Sequence, residues 1–193
     1  MKHWSESYTN YNEVKKRIDE EFKEFPYMQT PTCGMHRKAE IILLLQIINE
    51  YMFPTYIEIG CGRGSFLKMV NNTFISKINL IGYDKEKPLA SLPRNVNHIV
   101  MDNIFLHKEE ISNRIKKAKG RVFIYCDNGN KIREIDFTSK AMKKGDVIGT
   151  HDYCTEVPMK SIDFLKERGF ESINKYENWI NTHLCLQKFW IKK

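Results

Sequence analysis

The sequence lacks a long run of apolar residues. Within its 193 residues, no uninterrupted apolar run is longer than that of residues 41–45, whereas a helix that crosses a bilayer needs about 20 such residues. The first residues are polar and do not form the apolar segment of a secretion signal. Both absences predict a protein without a membrane partner, and the cytoplasm is the expected location.

Closely spaced cysteine pairs are also absent. The chain has five cysteines, an odd number, and no two of them form a CxxC pair. This argues against a zinc ribbon and a disulfide framework, both of which need paired cysteines at regular spacings. Cys61 and Cys126 stand at the ends of apolar segments, so we expect them to be small buried hydrophobic residues.

Positive charge is not concentrated in any stretch. The formal net charge is +7, from 31 basic and 24 acidic residues, and such an excess can attract nucleic acid or another polyanion. The lysines, however, are spread along the whole chain. A small-molecule substrate is therefore the expected partner, and nucleic acid stays open as an alternative.

Strand and helix patterns alternate along most of the chain. They predict an α/β fold with a doubly wound, mostly parallel seven-stranded sheet, a reversed C-terminal strand and N-terminal helices. Residues 1–35 are expected to form a helical extension, and residues 36–193 the α/β domain. The predicted strands cover residues 56–59, 78–83, 97–101, 121–126, 147–150, 170–176 and 183–190. The predicted helices cover residues 11–25, 36–51, 65–71, 111–119, 132–144 and 158–168.

Three glycines follow the first predicted strand and precede a helix. Gly60, Gly62 and Gly64 allow a tight turn and let a ligand approach the backbone, and the next helix directs its positive end at that ligand. Their GxGxG spacing differs from the GxGxxG of nicotinamide enzymes, and the Gly-Lys-Ser/Thr of a P-loop is absent. A tight turn that binds no ligand remains the alternative interpretation.

Acidic residues end the strands that follow this turn. Asp84 ends the second predicted strand, Asp102 follows the third and Asp127 follows the fourth. In a doubly wound sheet the ligand lies beyond the carboxyl ends of the strands, where a carboxylate can accept hydrogen bonds from ribose hydroxyls. The series of strand ends therefore predicts one common site for a nucleoside-containing ligand.

Residues 55–155 resemble the class I S-adenosylmethionine-dependent methyltransferases. Residues 58–64, Glu-Ile-Gly-Cys-Gly-Arg-Gly, resemble the first motif of that family; Tyr83-Asp84 resembles its second motif, and residues 101–103 its adenine-contacting segment. The resemblance implies a methyltransferase with S-adenosyl-L-methionine as its cofactor. The residues that it assigns to cofactor binding are Glu58, Gly60, Cys61, Gly62, Asp84, Asp102, Asn103 and Asp127.

A second pair of acids suggests a metal ion. Asp127 follows the fourth predicted strand and Asp152 the fifth, 25 residues later, and neighbouring parallel strands end about 5 Å apart. Two carboxylates at that distance suit Mg²⁺ or another divalent ion, which can lower the pKa of a substrate hydroxyl. The alternative is that Asp127 holds only the methionine amino group and residues 151–152 form a turn.

The acids also resemble those of the metal-dependent O-methyltransferases, of the catechol type and the macrolide and aminocoumarin sugar type. That resemblance implies Asp127, His151 and Asp152 as metal ligands, although the family usually has a carboxylate where this chain has His151. A histidine favours a softer ion than magnesium, or serves as a general base. The families often place Lys or His three residues after the first Asp, where this chain has Asn130 followed by Lys131. His151 and Lys131 are therefore the candidate catalytic residues.

Other methyl acceptors match the sequence less well. Residues 127–130, Asp-Asn-Gly-Asn, differ from the Asp/Asn-Pro-Pro-Tyr/Phe used in adenine methylation, and Cys126 does not follow a proline as a pyrimidine-methylating cysteine usually does. The leading hypothesis is O-methylation of a small hydroxylated molecule, with sugars among the expected acceptors. An RNA or protein methyltransferase and an inactive cofactor-binding module are the alternatives.

The acceptor site must be built from short segments, because the chain has no large insertion. Residues 1–35, the loops 127–131 and 151–158, and a second subunit of a homodimer are the sources that we expect. The aromatic candidates for its walls are Tyr153, Trp179, Trp4 and Tyr27.

Overall fold

A seven-stranded sheet forms the centre of the computed structural model, which describes residues 38–74 and 78–193. The strand order is β3-β2-β1-β4-β5-β7-β6. The strands are β1 Thr55–Ile59, β2 Asn79–Asp84, β3 Val96–Val100, β4 Val122–Cys126, β5 Val147–Thr150, β6 Phe170–Ser172 and β7 Lys188–Lys192. The α-helices are α1 Lys38–Tyr51, α2 Ser65–Thr73, α3 Lys108–Lys117, α4 Lys131–Ala141, α5 Phe164–Glu167 and α6 Glu177–Thr182, and 3-10 turns cover Ile104–Leu106, Met159–Ile162 and Asn174–Tyr176.

Helices cover both faces of the sheet, as the runs of buried apolar residues require. Every residue of β1 and β4 is buried, and a parallel sheet of this kind needs a layer on each side. Alternate strand residues point to opposite faces. One core contains Tyr56 and Phe123 with α1 and α2; the other contains Ile57 and Ile124 with α3, α4 and α5.

The prediction of a mostly parallel sheet with a reversed C-terminal strand is confirmed. Strands β1 to β5 pair in parallel, whereas β7 pairs antiparallel with both β5 and β6. The reversed strand therefore lies inside the sheet rather than at its edge, and β6 forms the edge.

Three predicted elements near the C-terminus are shorter than expected. The predicted helix 158–168 divides into a 3-10 turn and the short α5, and the Ser161 hydroxyl donates to the Pro158 carbonyl within that 3-10 turn, a local bond that competes with regular helix. The predicted strand 170–176 ends at Ser172, because residues 174–182 form a 3-10 turn and α6, and the predicted strand 183–190 is replaced by the shorter and later β7, Lys188–Lys192.

The loops that follow neighbouring strands begin at the same edge of the sheet. Gly60 N donates to Tyr83 O at 2.8 Å, Asp127 N to Ile59 O at 2.7 Å, and His151 N to Cys126 O at 3.2 Å. These bonds align the carboxyl ends of β2, β1, β4 and β5, which is the edge where the sequence predicts a site.

Some expectations fall outside the described residues. These are the helix 11–25, the boundary between residues 35 and 36, and the wall candidates Trp4 and Tyr27. Within residues 38–74 and 78–193, no helix has the length and apolar character needed to cross a membrane.

Candidate active site at the carboxyl edge of the sheet

The turn after β1 is built from glycines in the left-handed conformation. Gly60, Gly62 and Gly64 have φ angles of 87°, 53° and 87°, which residues with a Cβ adopt only at a cost. A Cβ on Gly60 would overlap the backbone of Asp127, so the turn lies directly against the loop after β4. A Cβ on Gly62 would meet no atom within 4 Å, which leaves this part of the backbone open to a ligand.

Two side chains from neighbouring strands hold the turn. Asp84, at the end of β2, accepts a hydrogen bond from Gly62 N at 2.8 Å and another from Glu86 N at 2.9 Å. His98 on β3 contacts the Gly62 carbonyl oxygen through Nε2 at 2.7 Å, so this nitrogen is the donor. Asp84 thus supports the turn and keeps further lone pairs on both oxygens for a ligand.

The other predicted cofactor residues occupy the same edge at different depths. Glu58 and Cys61 are buried, next to the turn. Asp102 and Asn103 are exposed after β3, one strand beyond Asp84, and Asn103 Oδ1 accepts from Phe105 N to cap a 3-10 turn. Their contact with a cofactor stays a prediction.

Asp127, His151 and Asp152 meet after β4 and β5. One ligand atom from each lies within 4.8 Å of the other two. His151 Nδ1 is 3.4 Å from Asp127 Oδ1 and 3.2 Å from Asp152 Oδ2. The three side chains that the sequence proposes as metal ligands are therefore close enough to bind one ion.

The buried carboxylate of Glu40, on α1, orients the imidazole of His151 through its Nε2 atom. Glu40, 1% exposed, places Oε2 3.1 Å from His151 Nε2, and its Oε1 accepts from Leu186 N at 3.0 Å. This pairing directs Nδ1 toward Asp127 and Asp152. Carboxylates commonly hold the second nitrogen of metal-binding histidines in this way.

Lys131 reaches the same carboxylates from the first turn of α4. Its Nζ lies 2.9 Å from Asp152 Oδ2, 2.7 Å from Glu156 Oε2 and 3.6 Å from Asp127 Oδ1. Burial lowers the pKa of Lys131, but hydrogen bonds to Glu156 and Asp152 and the charge of Asp127 outweigh it and raise the pKa above the usual lysine value. We call these six side chains the acidic cluster: Glu40, Asp127, Lys131, His151, Asp152 and Glu156.

The acidic cluster keeps a proton on His151. Burial lowers the pKa of His151, but the hydrogen bond to Glu40 and the charges of Asp127 and Asp152 outweigh it and raise the pKa to about 9. The two cationic side chains, His151 and Lys131, face four carboxyl groups, those of Glu40, Asp127, Asp152 and Glu156. Carboxylate oxygens are ligands that hard divalent cations prefer.

Glu134 braces the loop that carries Asp127. It is fully buried on α4 and accepts hydrogen bonds from Asn128 N at 3.3 Å and Asn130 N at 3.2 Å. Burial raises the pKa of Glu134 to about 7, although the two backbone bonds act in the opposite direction. The loop between β4 and α4 is thus held by a buried side chain whose pKa lies near neutral pH.

Comparisons with known proteins identify the fold but not a sequence family. No protein-family model matches the chain, and no curated protein matches its sequence. The Mg–SAM structure of CmcI has a TM-score of 0.59 at 12% identity, over 88% of this chain and 78% of that one. An O-methyltransferase from Bacillus cereus in complex with SAH has a TM-score of 0.54 at 13% identity, over 95% and 91%. MycE from the mycinamycin biosynthetic pathway, in complex with Mg and SAH, has a TM-score of 0.58 at 12% identity, over 95% and 54%.

The chain has the fold of the class I S-adenosylmethionine-dependent methyltransferases. The strand order, with a reversed β7 between β5 and β6, agrees with the sheet that the sequence predicts. At identities of 12–13% the likeness extends to the fold alone.

A cleft of about 480 Å³ adjoins the acidic cluster of this methyltransferase fold. Its wall includes Tyr153, which directly follows Asp152, and Leu186, whose backbone N–H binds Glu40. Tyr153 N also donates to Leu186 O at 3.0 Å, so these two wall residues connect the cleft to the cluster, although none of the six cluster side chains lines the cleft. Of the two predicted wall residues in the described part of the chain, Tyr153 lines this cleft, whereas Trp179 packs against the core.

Four side chains of the site were not predicted from the sequence. His98, Glu40 and Glu156 carry no local signal, because their partners lie far along the chain or in an irregular loop. Glu134 has a weak signal, since it follows the helix-capping Asn130 by four residues, a spacing close to that of a capping box.

Proposed function

We propose that this protein is an S-adenosylmethionine-dependent O-methyltransferase that modifies a hydroxyl group of a small molecule with the help of a divalent cation. One observation carries the proposal: the open glycine turn and the acidic cluster meet at one edge of the sheet. Gly60 lies against the backbone of Asp127, so a methyl donor on the turn would lie beside the cluster.

The residues around the turn fit the cofactor. The backbone at Gly62 is open, and the N-terminus of α2 directs its positive end toward this space. Asp84 supplies carboxylate oxygens for ribose hydroxyls, and Asp102 lies one strand further along the edge. S-adenosylmethionine, when bound, supplies the methyl group; the chain supplies position and charge.

The donor set of the acidic cluster fits a divalent ion. Asp127 and Asp152 offer carboxylate oxygens, and His151 offers Nδ1 once this nitrogen is deprotonated. An ion held there would lower the pKa of an acceptor hydroxyl. Because imidazole suits later transition metals and carboxylates suit Mg²⁺ and Mn²⁺, we expect Mn²⁺ to bind more tightly than Mg²⁺.

The cleft fits a small acceptor. Its volume of about 480 Å³ lies within the roughly 300–1,000 Å³ typical of small-molecule sites. Apolar side chains such as Tyr153 and Ile180 line it together with the ion pair between Glu177 and Lys188. This mixture of apolar wall and polar end suits a hydroxylated ring, such as a sugar or a catechol.

Neither candidate catalytic residue is a free base in this arrangement. The carboxylates around His151 and Lys131 raise both pKa values. Glu40 holds His151 Nε2, so only Nδ1 is available, either to bind the ion or to accept a proton from a hydroxyl, and not both. Because Nδ1 is proposed as a metal ligand, activation of the hydroxyl should depend on the ion itself.

The test is methyl transfer from labelled S-adenosylmethionine to a panel of sugars and catechols. We expect turnover with Mn²⁺, loss of turnover in excess chelator, and recovery when Mn²⁺ is restored. Asp152→Asn should lower turnover by roughly 100-fold, because it weakens the ion site, while the affinity for S-adenosylmethionine measured by calorimetry changes little. Asp163→Asn, an exposed acid in a neighbouring turn, is the matched control and should behave like the wild type.

Two outcomes contradict different parts of the proposal. Full turnover in excess chelator rules out assistance by a cation. Failure of the wild-type protein to bind S-adenosylmethionine rules out the methyltransferase function itself.

A further inference from the structure

The ammonium group of Lys131 occupies an unusual position. Lys131 is the first residue of the 11-residue helix α4, and its side chain is only 5% exposed. The positive end of a helix dipole disfavours a cation in the first turn, and burial disfavours any charge. Neither the helix nor the core therefore explains a lysine here; the carboxylates that surround it do.

The lysine and a divalent ion would use the same oxygen atoms. Nζ lies 2.9 Å from Asp152 Oδ2 and 3.6 Å from Asp127 Oδ1. These two oxygens are also the ones nearest to His151 Nδ1. An ion bound by Asp127, His151 and Asp152 must consequently compete with the Lys131 ammonium.

Glu156 gives the ammonium an alternative partner. Its Oε2 lies 2.7 Å from Lys131 Nζ, and its side chain is 59% exposed. Asp127, His151 and Asp152 lie close enough together to bind one ion without Glu156. Lys131 can thus leave the two inner carboxylates and remain paired with Glu156 at the rim.

We propose that Lys131 is a built-in counter-cation of this site: its ammonium offsets part of the negative charge of Asp127 and Asp152 when no ion is bound and moves toward Glu156 when an ion enters. The inference rests on the divalent-cation site of the proposed function, and it states what sets the affinity of that site for an ion. Lys131 weakens ion binding, which makes the site reversible, and it keeps two neighbouring carboxylates from repelling each other in the ion-free protein.

The direct test is the affinity for Mn²⁺ alone, measured by electron paramagnetic resonance on the full chain at neutral pH. Lys131→Met removes the competing charge, so Mn²⁺ should bind roughly tenfold more tightly or better than in the wild type. Lys131→Gln is a second neutral variant that reports the same effect if the Met variant folds poorly. Lys131→Arg keeps the charge and should retain weak binding.

Lys140→Met is the matched control for the loss of one positive charge. Lys140 lies on the same helix but is exposed and paired with Asp136, about 14 Å from Lys131 at the helical rise per residue. Its Mn²⁺ affinity should stay within roughly twofold of the wild type, because charges separated by more than a Debye length are largely screened.

A second readout tests the role in the ion-free protein. Lys131→Met should have a lower melting temperature than the wild type without ions, because Asp127 and Asp152 then repel each other. Added Mn²⁺ should raise its melting temperature by more than it raises that of the wild type. The inference is contradicted if Lys131→Met has the same melting temperature as the wild type both without ions and with Mn²⁺.

The outcomes separate this inference from the proposed function. If the wild type binds Mn²⁺ and both neutral variants bind it equally or more weakly, the counter-cation role is wrong and the cation site stands. If neither the wild type nor any Lys131 variant binds Mn²⁺, the cation site fails and the counter-cation role fails with it. If Lys131→Met and Lys131→Gln bind Mn²⁺ and the wild type does not, the inference is supported in its strongest form.

Discussion

Gly60 shows how much of this site depends on one missing side chain. Its φ of 87° and its contact with the Asp127 backbone bring the turn after β1 against the loop after β4. A larger residue would separate the cofactor turn from the acidic cluster. The same physical argument does not apply to every glycine, because Gly62 is open and Gly129 has neither a positive φ nor a close neighbour.

Gly60, Gly62 and Gly129 should therefore respond differently to substitution by alanine. We expect Gly60→Ala to lower the free energy of unfolding by about 2 kcal/mol or more, because strain and overlap add. Gly62→Ala should cost about 1 kcal/mol from its backbone conformation alone, and Gly129→Ala should change stability by less than about 0.5 kcal/mol. Denaturant titration measures all three, and calorimetry with S-adenosylmethionine measures the loss of binding in Gly60→Ala.

The absence of a difference between Gly60→Ala and Gly129→Ala would be informative. Equal stability of Gly60→Ala and Gly129→Ala would show that the loop after β4 can move away from the turn. In that case the contact between the two loops could not be what positions the methyl donor beside the acidic cluster.

At the scale of elements, the start of α4 organises the loop that carries Asp127. Asn130 caps the helix by accepting from Arg133 N, and Glu134 accepts from two backbone N–H groups of the loop. A single helix terminus thus presents Lys131 to the cluster and fixes the loop before it. Because Glu134 is fully buried, this support depends on pH.

The sign of that dependence follows from the pKa of Glu134. Burial raises this pKa from 4.5 to about 7, so the folded state prefers the protonated acid and stability falls as the pH rises through this range. Glu134→Gln is neutral at every pH. Relative to the wild type, its free energy of unfolding should increase by about 3 kcal/mol between about pH 4.5 and pH 8.

The measurement is denaturant unfolding of both proteins across that pH range. Only the difference between the two curves is used, because all other titrating groups are common to both. Parallel curves would show that the pKa of Glu134 is the same in the folded and unfolded states, with its two backbone hydrogen bonds balancing burial.

At the scale of the whole molecule, lysines that are dispersed in the sequence meet at the amino end of the sheet. Lys143 Nζ donates to Ala118 O at 3.3 Å, and Gly145 N donates to Lys192 O at 2.8 Å. We call this surface the basic end, and it comprises the exposed residues Lys117, Lys119, Lys143, Lys144 and Lys193. It lies opposite the acidic cluster, because these residues surround the starts of β4 and β5 and the end of the reversed β7. The basic end therefore offers no support for a nucleic-acid acceptor at the site.

Removal of this charge should not affect catalysis. Changing Lys117, Lys119, Lys143 and Lys144 to Gln removes four positive charges, from +7 to +3. We expect turnover and cofactor affinity to stay within roughly twofold, because distant substitutions act independently, while retention on a polyanion column falls. A selective loss of turnover would instead indicate an acceptor that binds at the basic end.

The sequence by itself determined the order of the seven strands, the mostly parallel sheet with its reversed C-terminal strand and the expected position of a site at the carboxyl edge, but not α6 between β6 and β7. These follow from local periodicity, from the glycines after β1 and from the rule that parallel strands end together. It also predicted Asp127, His151 and Asp152 as neighbours, because β4 and β5 are adjacent. The tertiary structure alone decided what surrounds them: Glu40, 111 residues away from His151, Glu156 from an irregular loop, and the buried ammonium of Lys131. Periodicity reports which face of an element is buried, whereas contacts between distant side chains depend on how helices and loops pack over the sheet.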